Sequence, residues 1–280
     1  MAQINSAGHM AKQGFDSVRR SAALEVLTRV GFAAKGIVYL MVGVLALMAA
    51  FNEGGETTDK KGVMERIATQ PFGEFALIVI GVGLFAYAAW RFLCCFVDVE
   101  NEGSDGKGVG KRLLYLGSGL IYASAGMYAI RIVMNSSRSG GDGAQAWTAR
   151  LMDAPAGPWL VAIVGIGVVV GGIMQIRHGW QEKFRKHLRL GQMSGDHKHW
   201  AIRAGKWGYI ARGVVFAVIG FFIMLAAIRH DPSRVRGSEG ALDALAAQPY
   251  GQWLLAFVAA GLACYGVYSL IETKYRHVSL

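Results

Sequence analysis

Histidine and cysteine are the side chains in this sequence that could support catalysis or metal binding. Four histidines fall within one basic stretch: His178, His187, His197 and His199. A metal site usually needs closely paired ligands with a cysteine or carboxylate partner, whereas the charge of Lys198 between two of these histidines opposes a cation. Cys94 and Cys95 are adjacent and rarely pair with each other. We therefore expect a solvated basic loop, small buried cysteines, and neither a catalytic group nor a cofactor.

The composition predicts an integral membrane protein. Hydrophobic residues make up 53% of the 280 residues, charged residues only 17%, and the mean hydropathy is +0.34. Glycine, at 38 residues, is about twice as frequent as usual, and in membranes it lets helices approach closely. These values exclude a disordered chain, and three cysteines are too few for a disulfide scaffold.

Six stretches without charge, each 16 to 28 residues long, are long enough to cross a bilayer once their flanking residues are counted. They are Gly36–Asn52, Phe75–Trp90, Leu113–Ile130, Ala154–Ile176, Gly213–Ile228 and Ala244–Ile271. No ionisable Asp, Glu, Lys, Arg or His lies in the middle of a stretch, which disfavours ion-coupled transport. Lys35, Arg91 and Arg212 flank the stretches, and we expect them to extend towards the inner surface.

The distribution of basic residues predicts the orientation. Of the 29 Lys and Arg residues, 20 fall on the side of the two termini and 9 on the opposite side, which places both termini in the cytoplasm. The net charge of +10 is therefore one-sided, and it needs no nucleic-acid partner. The tail before the first span is either an amphipathic helix on the inner surface or disordered.

One pattern recurs in the three odd-numbered spans, with intervals of 3, 4, 3 and 4 residues that place its members on one helix face. The three copies are Arg29, Phe32, Gly36, Tyr39 and Gly43; Arg112, Tyr115, Gly119, Tyr122 and Gly126; and Lys206, Tyr209, Gly213, Phe216 and Gly220. We call this pattern the stripe, and its glycines predict close contact between helices.

A second pattern recurs where the even-numbered spans begin. Pro71 and Gly73 return as Pro155 and Gly157 and as Pro249 and Gly251. Proline suits the first turn of a helix, so each copy marks the outer start of a returning span. Short amphipathic segments precede the prolines and predict helices on the outer surface: Val63–Ala68, Ala146–Met152 and Ala241–Ala247. Gly167 and Gly171 form a GxxxG pair, so we expect the fourth span to be the most tightly packed.

The predicted fold is all-α: a polytopic membrane protein with six transmembrane helices in three parallel helical-hairpin repeats. A pseudo-threefold arrangement is expected, and an open row of hairpins is the alternative. The predicted boundaries are a tail at 1–23, repeats at 24–98, 99–180 and 206–276, a basic cytoplasmic connection at 181–205, and a tail at 277–280.

Both repeated patterns resemble those of a bacterial membrane family, domain of unknown function 1206. The resemblance covers roughly residues 24–276, and the basic segment Trp180–Leu190 fits it as well. The second repeat departs most, because Gly171 stands where the other two have Tyr87 and Tyr265. The resemblance implies a membrane location and three repeats, and it implies no activity.

The favoured function is that of a non-enzymatic structural or lipid-interacting protein of the inner membrane or envelope. Its partners would be the lipid bilayer and anionic headgroups at the cytoplasmic face, and a homo-oligomer is left open. The proposed headgroup contacts are Lys183, Arg185, Lys186 and Arg189. A channel or carrier for an uncharged solute through the centre of the hairpins is the first alternative. An intramembrane enzyme or metal protein is the second.

Overall fold

The computed structural model describes residues 22–51, 57, 59–134 and 143–276. The tail before residue 22, expected as an amphipathic helix or a disordered segment, lies outside the described residues. Nine α-helices occur in the described ranges. They are α1 Ala22–Ala50, α2 Lys60–Ala68, α3 Gly73–Phe96, α4 Gly106–Val133, α5 Gly143–Met152, α6 Gly157–Trp180, α7 Gly195–Arg229, α8 Ser238–Ala246 and α9 Gly251–Tyr275.

Six of these helices in the described ranges are long and apolar enough to cross a membrane: α1, α3, α4, α6, α7 and α9. Each contains most or all of one uncharged stretch, so the sequence located the spans correctly. We call α1 with α3 the first hairpin, α4 with α6 the second, and α7 with α9 the third. Helix α7 is 35 residues long because it begins at Gly195, well before its uncharged stretch.

The three short helices α2, α5 and α8 precede the three prolines, as the amphipathic segments predicted. Asp59 starts α2, because its side chain accepts hydrogen bonds from the Lys61 and Gly62 amides at 2.8 and 3.2 Å. Each short helix and the span after it form one compact corner at the end of the bundle opposite to the start of α1 and the end of α9.

The prolines lie in the turn, and each span begins two residues later, at the glycine. The residue between them adopts a left-handed conformation, with φ 61° at Phe72, 60° at Ala156 and 60° at Tyr250. A Cβ atom on Gly73 would overlap the Ile67 carbonyl oxygen, and the two equivalent glycines are equally confined. The expectation that proline forms the first helical turn is therefore wrong, because the tight turn needs glycine at the helix start.

The spans pack in the order α4, α3, α1, α9, α7 and α6. The most extensive interfaces join different hairpins: α3 with α4, α9 with α1, and α6 with α7. The first and third hairpins also pack internally. In the second hairpin, in contrast, α4 and α6 have almost no contact with each other.

Equivalent small residues form the three interfaces between hairpins. A Cβ added to Gly43 would lie 2.8 Å from the carbonyl oxygen of Ala259. A Cβ added to Gly126 would lie 3.2 Å from the carbonyl oxygen of Gly81, and one added to Gly220 would lie 2.8 Å from that of Gly165. The stripe glycines therefore face a neighbouring hairpin. Such backbone contact lets the spans approach without any side chain between them.

The expectation that the fourth span is the most tightly packed is wrong. Only 17% of the most apolar window of α6 is buried, the lowest value among the six spans. Gly165 and Gly172 do pack against α7, but a Cβ on Gly167 or Gly171 would meet nothing within 4 Å. The GxxxG pair lies on a face that no described helix covers.

Candidate functional site

Four buried tyrosines pack together where the first hairpin contacts α4 and α9. Tyr39, Tyr87, Tyr122 and Tyr265 come from α1, α3, α4 and α9, and none is more than 6% exposed. Their rings pack edge to face, with ring centres 4.5 Å apart for Tyr87 and Tyr122 and 4.9 Å apart for Tyr39 and Tyr265. The hydroxyl oxygens of Tyr39 and Tyr122 are 3.4 Å apart. We call this group the tyrosine cluster.

A buried lysine adjoins the tyrosine cluster on the side where α1 begins and α9 ends, which we call the terminal side. Lys35 Nζ lies 4.8 and 5.1 Å from the ring centres of Tyr87 and Tyr265, and 3.5 Å from a Glu272 carboxylate oxygen. Lys35 and Glu272 are each 1% exposed. The expectation that Lys35 extends to the inner surface is therefore wrong. Its charge is compensated inside the bundle by Glu272 and by aromatic ring faces.

Two arginines flank the same cluster without a carboxylate partner. Arg91 Nε donates a hydrogen bond to the Tyr87 hydroxyl at 2.9 Å, and Arg212 Nη1 donates one to the Tyr265 hydroxyl at 2.5 Å. No ion pair to either arginine occurs among the described residues. Both guanidinium groups are half-buried and turn inward, so the expected extension to the surface is wrong here too.

An ion-pair network continues from Lys35 to the terminal-side surface. Arg276 pairs with Glu272 and lies 2.5 Å from Glu100, and Glu100 lies 3.1 Å from His187 Nδ1. Burial alone would raise the pKa of Glu100, yet the Arg276 guanidinium and the His187 ring hold that pKa well below its usual range. The network ties the end of the first hairpin to the end of the third.

The basic segment after α6 docks on this end of the bundle. Phe184 is fully buried, stacked 5.5 Å from the ring of Tyr209, and Leu188 is 6% exposed beside a backbone bridge to Arg276. Helix α6 ends at Trp180, and a short 3₁₀ helix, Lys183–His187, follows. The two apolar side chains therefore anchor the basic segment against this end of the bundle.

The proposed headgroup contacts lie on this segment, and most of them point away from the bundle. Lys183, Arg185 and Lys186 are exposed and Arg189 is half-buried. Arg185 also pairs with Glu182 at 3.0 Å. Three of the four sequence-predicted contacts are thus exposed, and the fourth, Arg189, is partly exposed.

The basic residue that begins each stripe copy does not join the tyrosine cluster. Arg29 is exposed and pairs with Glu25, Arg112 donates to the Cys95 carbonyl at 2.5 Å, and Lys206 Nζ lies 4.9 Å from the Trp180 ring centre. Each of these residues lies in the terminal-side half of its helix. The aromatic stripe positions that follow them face the interior, with Phe32 1% exposed.

The histidines and cysteines are placed apart from one another. His197 Nδ1 lies 2.9 Å from the Ser194 hydroxyl and His199 Nδ1 lies 2.9 Å from the Gly195 carbonyl oxygen, both within the first turn of α7. Cys94 and Cys95 are buried at the end of α3. Within the described ranges, no three His, Cys, Asp or Glu side chains are grouped so that they could hold a metal ion.

Sequence reasoning missed the buried charges, although the repeats carried a signal for them. Lys35, Ser118 and Arg212 occupy the same repeat position, each directly before a stripe glycine. Since that glycine faces a neighbouring helix, its predecessor lies near the interior as well. A cation in two of three equivalent positions indicates a polar interior. The location of Lys35 and Arg212 at the ends of the uncharged stretches had suggested the membrane surface instead.

Known proteins resemble this chain along most of its length. The model of the family "Domain of Unknown Function (DUF1206)" matches residues 30–97, 113–182 and 207–276, so each match covers most of one hairpin. The Uncharacterized protein YxxB of Bacillus subtilis (strain 168) is 34% identical over 251 residues, which is 90% of each chain. No solved structure matches. Three matches to one family model and a relative of this extent show that the chain belongs to the DUF1206 family.

Proposed function

We propose that this protein is a non-enzymatic, lipid-interacting structural component of the inner membrane, with both termini in the cytoplasm. The observation that carries the proposal is the anchoring of the basic segment by Phe184 and Leu188, which leaves Lys183, Arg185 and Lys186 exposed on one face. Anionic headgroups attract such clusters by about 1 kcal/mol per basic residue near the membrane surface.

Tryptophans support the depth assigned to this face. Trp180, Trp200 and Trp207 belong to the terminal side and are 65%, 68% and 43% exposed. Exposed tryptophan is typical of the level of the headgroups. The basic segment follows Trp180 directly, so its side chains lie at the height of lipid phosphates.

The packing of the bundle favours a structural role over a channel. The tyrosine cluster occupies the centre with edge-to-face rings, where a channel would need an open, hydrated path. The three interfaces between hairpins use equivalent small residues, and we propose that a pseudo-threefold axis along the membrane normal relates the hairpins.

A lipid titration tests the proposal. The full-length protein in a mild neutral detergent is titrated with phosphatidylglycerol or with phosphatidylcholine, and its thermal midpoint is followed. We expect phosphatidylglycerol alone to raise the midpoint, because only that lipid carries net charge. The triple variant Lys183→Gln, Arg185→Gln and Lys186→Gln is expected to lose most of this rise.

The matched control removes the same charge from the opposite side of the membrane. Arg66, Arg131 and Arg229 are exposed there, and their replacement by Gln should leave the phosphatidylglycerol response unchanged. Equal responses in the wild type and in the Lys183, Arg185 and Lys186 variant would contradict the proposal, since the patch would then contribute nothing to lipid contact.

A further inference from the structure

The second hairpin leaves a gap between its two spans. In the first hairpin a Cβ on Gly83 would overlap that of Ala34, and Gly261 meets Ala211 in the same way in the third. The equivalent pair in the second hairpin is Gly167 with Gly117, and a Cβ on either would meet nothing within 4 Å. The gap therefore lies where the other two hairpins make backbone contact.

Two substitutions between the repeats account for the gap. Gly31 and Gly208 lie against the backbones of Tyr87 and Tyr265, where an added Cβ would be 2.6 Å from the nearest backbone atom. The second repeat has Leu114 in place of this glycine and Gly171 in place of the tyrosine. A leucine prevents the close approach, and glycine removes the ring that would fill the interface.

Unpartnered polar groups occur at the terminal-side level of the gap. Ser118 Oγ of α4 and Gln175 Oε1 of α6 are screened from solvent and have no hydrogen-bond partner among the described residues. Along α6, Gly171 and Gly167 lie further from the termini than Gln175, and Gly117 of α4 directly precedes Ser118. A Cβ on any of these three glycines would meet nothing within 4 Å. The gap thus combines a polar end with an apolar groove, just as a phospholipid combines a polar headgroup with apolar acyl chains.

The two uncompensated arginines lie at the same level. Arg91 directly follows one uncharged stretch and Arg212 directly precedes another, so both belong to the depth of the headgroups. Arg91 donates a hydrogen bond to Tyr87 and Arg212 donates one to Tyr265, so both reach the same tyrosine cluster. Arg212 Nε is buried and has no hydrogen-bond partner among the described residues. Two inward-facing guanidinium groups without a carboxylate form a site that is complementary to a phosphate, which guanidinium binds with paired hydrogen bonds.

We propose that the gap between α4 and α6 admits one acidic phospholipid from the terminal-side leaflet. Its phosphate binds Arg212 and Arg91, and its acyl chains lie along the groove formed by Gly117, Gly167 and Gly171. A lipid fits better than free phosphate because the gap opens sideways towards the membrane and continues into an apolar groove. The site rests on the proposed lipid-interacting function, but it is inside the bundle, apart from the surface patch.

The test measures how tightly the delipidated, full-length protein binds added lipid. Dioleoylphosphatidylglycerol is titrated into the detergent-solubilised protein, and native mass spectrometry counts the complexes with one bound lipid. We expect Arg91→Gln with Arg212→Gln to weaken this single site at least tenfold. Arg29→Gln with Arg203→Gln removes the same charge from exposed positions and should leave the site unchanged.

A second variant keeps the test decisive if the double arginine variant fails to fold. Gly167→Leu with Gly171→Leu fills the groove from the α6 side, and a Cβ at either position would meet nothing within 4 Å. We therefore expect an unchanged thermal midpoint and a loss of at least tenfold in lipid affinity. Unchanged binding of one phosphatidylglycerol in this variant would overturn the proposal.

Competition separates the sources of the phosphate. Inorganic phosphate and soluble glycerophosphoglycerol, at the lipid's concentration, are expected not to displace the lipid. Displacement by either would show a site for a free anion and overturn the lipid assignment. Loss of the single bound lipid in the Lys183, Arg185 and Lys186 variant, but not in the arginine or groove variants, would place that lipid on the surface patch. That result would end this inference and leave the proposed function standing.

Discussion

The first and third hairpins differ from the second in the contact between their own two helices. In the first, Gly31 admits the backbone of Tyr87, and in the third, Gly208 admits that of Tyr265. In the second, Leu114 and Gly171 occupy these positions and the helices stand apart. All three hairpins nevertheless keep equivalent contacts to their neighbours. The comparison teaches that the repeated stripe determines packing between hairpins, whereas a different pair of positions determines whether a hairpin closes on itself.

The ion-pair network sharpens this comparison, since it joins the two closed hairpins through Lys35, Glu272, Arg276 and Glu100. Replacing Arg276 by Gln removes the cation that the buried carboxylates of Glu100 and Glu272 share. We expect a loss of about 3–5 kcal/mol in the free energy of unfolding, because a broken buried pair leaves uncompensated charge. Thermal unfolding in detergent measures it.

The control for that variant is Arg29→Gln, which breaks the exposed pair with Glu25. An exposed pair between helical neighbours contributes only about 0.3–0.5 kcal/mol, so its midpoint should hardly move. Similar midpoints for the two variants would mean that the network does not stabilise the bundle.

Matched glycine substitutions test the closed and open hairpins directly. Gly208→Leu places side-chain atoms against the Tyr265 backbone, and we expect a loss of about 1–3 kcal/mol from overpacking. Gly167→Leu meets open space and should change the thermal midpoint little. A comparable loss in both variants would indicate that the second hairpin is closed as well.

Cysteine pairs report the gap with almost no change in stability. In a background of Cys94→Ala, Cys95→Ala and Cys264→Ala, Gly117→Cys with Gly167→Cys should form no disulfide in native membranes. Gly81→Cys with Ala129→Cys is the positive control, because an added Cβ on Gly81 would lie 3.4 Å from that of Ala129. Rapid oxidation of the first pair would show that α4 and α6 meet in the membrane.

The smallest expected effect is the change in the stabilising contribution of Glu100 when the pH is lowered from neutral. The pKa of Glu100 is lowered in the folded state, so its contribution to stability is present above the unfolded value of about 4.3 and is lost as the pH falls towards the lowered value. We compare the His187→Ala variant with the double variant His187→Ala and Glu100→Gln. The difference between their thermal midpoints should stay constant from about pH 8 to 5 and shrink below about pH 4. A difference that fades between pH 8 and 5 would contradict the lowered pKa.

The location of the spans and the number of repeats could be predicted because they depend on properties that each segment carries alone. Uncharged length predicted six helices, and Pro71 with its two equivalents marked the corners before the returning spans. The stripe glycines predicted close packing, and Gly43, Gly126 and Gly220 do lie against neighbouring backbones. The basic segment was located too, although the burial of Phe184 and Leu188 beneath it required the fold.

The gap and the buried charges could not be predicted in this way. The sequence by itself determined which segments are apolar, where they turn and that one hairpin pattern occurs three times, because these follow from hydropathy and local backbone conformation. Only the tertiary structure decided that Lys35 meets Glu272, which is 237 positions away, and that Gly167 faces no partner. The reason is that charge compensation and backbone contact are properties of pairs, and helices from different hairpins supply the two members.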